Sequence, residues 1–70
     1  MRRRTFFYSG EIVFKGIMGT YKSSGYLQSK NGINAYRIAE EKLHKSAKDI
    51  CDDPVNEPYE ILVTSLSKLD

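Results

Sequence analysis

Apolar and polar residues alternate with a period of two from Thr5 to Lys15. Phe6, Tyr8, Gly10, Ile12 and Phe14 fall on one face, and Phe7, Ser9, Glu11, Val13 and Lys15 on the other. The stretch is rich in Phe, Tyr, Ile and Val, which predicts a strand with its first face toward a core. Gly16-Ile17-Met18-Gly19 supplies turn residues, and a second, weaker strand follows over Thr20–Ser29. There Tyr21 and Leu27 share one parity and Tyr26 has the other, unless a bulge near Gly25 changes it. Lys22 and the small polar residues around it suit an edge strand.

The period then changes to that of a helix, expected over about residues 33–50 with Asn31 or Asn34 as N-cap. Tyr36, Ala39, Leu43, Ala47 and Ile50 form its apolar stripe, whereas Ile38 points away from it. Arg37 and Glu41, Glu41 and Lys45, and Lys45 and Asp49 are opposite charges at i,i+4, a spacing that supports an exposed helix face. Asp52-Asp53-Pro54-Val55-Asn56-Glu57-Pro58 ends the helix. A third strand spans Tyr59–Leu66, with Tyr59, Ile61 and Val63 on one face and Leu62 and Leu66 on the other.

These elements predict one α+β domain over residues 1–70, ββαβ, with residues 1–4 as a basic arm open to disorder. One helix packs on a three-stranded antiparallel sheet in the order 2-1-3, and the crossover through the helix is right-handed by default. Seventy residues bury a smaller share of surface than a larger chain does, and self-association is a common remedy. With the helix on one face of the sheet, Phe7, Val13 and either Leu62/Leu66 or Ile61/Val63 remain on the other, and Ile38 on the outside of the helix; Leu62 and Leu66 are taken as the contact positions of β3. Such apolar positions mark a contact surface, so a homodimer or another protein partner is expected.

Charge adds a second candidate surface. Residues 1–37 hold seven cations against Glu11, about +6, and the rest holds four cations against eight acids, about −4. Arg2, Arg3 and Arg4, with Lys15, Lys22 and Lys30, are placed to neutralise phosphates, and Tyr8, Tyr21 and above all Tyr26 to stack on bases. Nucleic-acid binding through the arm and hairpin is therefore the alternative to a protein-binding module.

Other chemistry finds little support in the chain. Cys51 is the only cysteine, so no internal disulfide forms, and it reads as a small buried hydrophobe in a reducing, cytoplasmic setting. The basic start does not continue into a signal peptide, because Gly10 and Glu11 interrupt the apolar run; no segment reaches a membrane-spanning length. His44 lies four residues after Glu40, a pair that could orient an imidazole, yet no nucleophile stands beside it by sequence. The acidic run after the helix lacks the alternating ligands and central glycine of a calcium loop. No catalytic residue, metal, cofactor, small-molecule substrate or membrane contact is expected.

Phe6-Phe7-Tyr8-Ser9-Gly10-Glu11-Ile12, the helix around Tyr36 and the closing Val63-Thr64-Ser65-Leu66-Ser67 resemble short proteins of enterobacterial prophages and plasmids. The resemblance implies a bacterial cytoplasmic protein that modulates a host protein. It transfers no functional residue, because such proteins generally have no assigned activity.

Overall fold

The computed structural model describes residues 3–69; Met1, Arg2 and Asp70 lie outside the described residues, and with them one of the expected arm cations. Strand β1 runs over Arg4–Phe14, β2 over Thr20–Ser29, helix α1 over Gly32–Ile50 and β3 over Tyr59–Lys68. They form a three-stranded antiparallel sheet in the order β2-β1-β3 with the helix on one face. Part of the expected arm belongs to the sheet, since Arg4 pairs with Ser29.

Strand β1 is central because its even positions supply most of the sheet's share of the core. Phe6, Tyr8, Ile12 and Phe14 are buried there with Leu27 of β2. The helix contributes Ala35, Ala39, Leu43 and Ala47, all fully buried. Three alanines in this stripe let the helix axis lie close to the strands, and Leu43 reaches furthest in. It does so over Gly10, where a Cβ would stand 2.5 Å from Leu43 Cδ1 and 2.7 Å from the Leu62 carbonyl oxygen. Asn31 caps the helix, its Oδ1 accepting the Asn34 N–H at 2.8 Å.

The helix is rotated from the stripe that the sequence suggests. Tyr36 and Ile50 are exposed, while Ile38 is half-buried against the core. A tyrosine directly over the strands would prevent the close approach that the alanines allow, so the stripe turns toward Ala35 and Ile38. None of the three expected i,i+4 pairs closes to ion-pair distance among the described residues. Exposed long side chains gain little from being fixed in one geometry.

The β1–β2 ladder is regular throughout, and the irregularity falls instead between β1 and β3. Gly10 pairs with Val63 and Ser9 with Ser65, which leaves Thr64 as the extra residue of a bulge. The bulge resets the parity of β3. Leu66 therefore pairs with Tyr8 on the helix side, half-buried against the core, rather than on the open face with Leu62.

Candidate functional site

Two surfaces stand apart from the core: the face of the sheet that the helix leaves uncovered, and one end of the long axis. The open face consists of four rows across the strands. Tyr26, Phe7 and Ser67 form the first; Ser24, Ser9 and Ser65 the second; Lys22, Glu11 and Leu62 the third; Thr20, Val13 and Glu60 the fourth.

Phe7 and Tyr26 meet edge to face, with centroids 5.4 Å apart and planes at 61°. Tyr26 remains 66% exposed and Leu62 55%, while Phe7 and Val13 are half-buried by their neighbours. The serine row has no bulk to fill the space between the aromatic ridge and the Glu11/Lys22 row. An open concavity of about 400 Å³ results, lined by Phe7, Ser9, Glu11, Lys22, Ser24 and Thr64 among others. Ser9 Oγ and Thr64 Oγ1 share a hydrogen bond at 3.2 Å on its floor. The apolar positions of this face are thus two clusters separated by hydroxyls and one opposite-charge pair, not a continuous patch.

Of the five residues expected on contact surfaces, the sheet brings Phe7, Val13 and Leu62 together on the open face. Ile38 and Leu66 are withdrawn to the helix side. Tyr26 joins the first group, a placement that its parity already indicated. The shift of Leu66 also had a signal in the sequence. Apolar spacing along β3 is two from Tyr59 to Val63 and three from Val63 to Leu66, the mark of an inserted residue.

The expected phosphate contacts divide between the two ends of a domain 43 Å long and 17 × 16 Å across. Arg3, Arg4 and Lys30 lie where β1 begins and β2 ends. Lys15 lies at the other end, its Nζ 3.3 Å from Glu60 Oε2, and Lys22 sits mid-sheet opposite Glu11. Arg37 and Lys68, absent from the expected set, join the first end through the start of α1 and the close of β3. The aromatic residues also sort themselves. Tyr8 is in the core, Tyr21 packs edge-on against Phe14 at 5.7 Å, and only Tyr26 of the three faces outward from the open sheet.

Asp49, Asp52, Asp53, Glu57 and Glu60 collect at the opposite end, around the loop that follows α1. Asp53 accepts from Asn56 Nδ2 at 2.9 Å and from its backbone N–H at 3.4 Å. These bonds hold the Asp53 carboxyl below the usual carboxylate range, with the Asn56 side chain as the largest cause. Glu57 is 8% exposed, and its carboxylate accepts the backbone N–H groups of Ile17 and Met18 in the β1–β2 turn. In the sequence Glu57 belongs to the acidic run that ends the helix, and its capture by a turn forty residues earlier leaves no local signature.

His44 does not form the arrangement considered for it with Glu40. Its Nδ1 lies 2.9 Å from the Tyr59 hydroxyl and the two rings meet at 5.6 Å, which ties the helix to β3. Cys51 is half-buried beside the core. Among the described residues there is no group of three or more His, Cys, Asp or Glu placed to hold a metal ion. Nor is any helix long and apolar enough to cross a membrane.

The class that this architecture defines is a small α+β domain with a half-covered antiparallel sheet. No family model matches the chain, and neither does any curated protein or solved structure.

Proposed function

We propose that this protein is a non-catalytic interaction module that binds a second copy of itself through the open face of its sheet. The observation that carries this reading is the placement of Phe7, Val13, Tyr26 and Leu62 on one uncovered face, with Glu11 and Lys22 in register between them. Charge complementarity favours a second copy as occupant. A two-fold axis along the strands, between β1 and β2, sets Glu11 over the partner's Lys22 and Phe7 over the partner's Tyr26. An isologous interface requires this reciprocity.

The size of the face sets the strength. With the axis between β1 and β2 only these two strands overlap their counterparts, a contact on the order of 33 by 10 Å that is below the standard size of specific interfaces, so the dimer is weak and reversible. The lone half-buried cysteine supports a reducing, cytoplasmic setting, and a kinship with short prophage and plasmid proteins would fit a module that acts on a host protein.

Size-exclusion chromatography with light scattering tests the reading. Mass should rise above the monomer value at tens of micromolar and fall back when Phe7 is replaced by Glu with the circular dichroism unchanged. A strict monomer across that range overturns it.

A further inference from the structure

The basic end of the domain is a separate surface, and it does not depend on self-association. Residues 3–10, 26–39 and 64–69, which build this end, contain Arg3, Arg4, Lys30, Arg37 and Lys68 and no Asp or Glu. All five cations are exposed, and none is ion-paired among the described residues. The fold gathers them from the start of β1, the loop after β2, the start of α1 and the close of β3. Arg4 pairs with Ser29, Lys30 follows at once, Lys68 pairs with Phe6, and Arg37 lies in the second turn of the helix that starts beside them. The helix N-terminus adds its partial positive charge to the same end, and no acidic residue in its first turn offsets it.

We infer that this end binds the phosphodiester backbone of a nucleic acid through Arg3, Arg4, Lys30, Arg37 and Lys68. The density of unpaired cations selects a polyanion, and Tyr36, 44% exposed beside Arg37, adds an aromatic face on which a base can stack. A chain bearing one negative charge per nucleotide draws its affinity from counterions released as each phosphate is neutralised. The same geometry removes Lys15 and Lys22 from the site. Lys15 is paired with Glu60 at the far end, and Lys22 stands opposite Glu11.

Fluorescence anisotropy with a labelled oligothymidylate and a labelled duplex of similar length tests the inference on the full chain. With five contacts, single-strand affinity should drop on the order of 100-fold between about 50 and 200 mM salt, and a duplex somewhat more steeply. Lys30→Gln and Arg37→Gln, both at exposed positions, should each flatten the log–log salt slope by about 0.7 on the single strand. Lys15→Gln should leave both affinity and slope unchanged. Binding to either oligonucleotide with this pattern supports the inference, and the better ligand of the two identifies the form of nucleic acid. Absence of binding to both at low salt overturns it, as does an equal effect of Lys15→Gln. Binding of polyglutamate or of anionic lipid vesicles at least as tight as that of the oligonucleotides also overturns it, in favour of an acidic polypeptide or a membrane surface.

Discussion

The Glu57 carboxylate accepts the backbone N–H of Ile17 at 2.8 Å, a bond between the loop after the helix and the turn of the hairpin. A second, longer bond from the Met18 N–H at 3.4 Å completes the clamp. Backbone bonds from Phe14 to Gly19 and from Lys15 to Pro58 flank it, so turn and loop form one unit. Hydrogen bonds to a charged, buried acceptor are worth about 1.5–3 kcal/mol, and Glu57→Ala should lower unfolding stability by that amount. Glu57→Gln keeps an accepting oxygen and should lose clearly less. Urea unfolding followed by circular dichroism measures both, and equal losses for the two variants would show that bulk, not acceptance, is what matters.

Asp53 gives this loop a pH dependence of known sign. Its carboxyl is held below the ordinary range chiefly by the Asn56 side chain. A depressed folded pKa contributes stability above the unfolded value, and that contribution is lost as pH falls through the folded value. Asn56→Ala should let Asp53 titrate nearer the ordinary carboxylate range and flatten the acid limb of the stability–pH curve. Carboxyl-carbon NMR titration reads the first effect directly, and an unmoved Asp53 would refute the assigned cause.

Gly10 and Leu43 form the closest fit between sheet and helix. A methyl at position 10 meets the Leu43 side chain and the Leu62 carbonyl together, so Gly10→Ala should cost about 1–3 kcal/mol. Leu43→Ala should cost about 2–5 kcal/mol alone. In the double variant the two losses should sum to less than their total, because the smaller side chain makes room for the methyl. The relief stays partial, since the Leu62 carbonyl is backbone. Strict additivity in a double-mutant cycle would contradict the contact.

Thr64 is the extra residue of the β3 bulge, which makes its deletion an unusual test. Without it, Ser65 follows Val63 directly and still pairs with Ser9, and Leu66 still pairs with Tyr8. The deletion variant should keep its fold, with a change within about 1 kcal/mol for the lost exposed hydrogen bond. Deletion of Leu62 lets the bulge absorb the lost residue but moves Val63 to the open face and Thr64 to the helix side, and should cost about 1–3 kcal/mol more. If the two deletions are equally damaging, the register is not as described.

Strand and helix order were legible because alternation in β1 and the polar break at 52–58 are local signals. The same alternation placed Phe7 and Val13 on the open face, while the face of β3 that joins them is fixed only by its pairing with β1. What escaped were matters of tertiary fit. The helix turned toward Ala35 and Ile38 because small residues let it approach the sheet, a preference that hydrophobicity alone does not rank. Leu66 moved to the core side because one residue in β3 is unpaired. Glu57 was drawn into a turn far away in sequence. The division of the basic residues followed from strand direction, since chain order sets Arg4 and Lys15 side by side in composition but at opposite ends of β1.

NMR spectra recorded across a dilution series report whether copies meet through the uncovered sheet face. Amide shifts that move with concentration should concentrate at Phe7, Glu11, Val13, Lys22 and Tyr26, with the helix unaffected. Shifts that do not change up to several hundred micromolar, or that cluster on the helix or along the outer edge of β2, would contradict it.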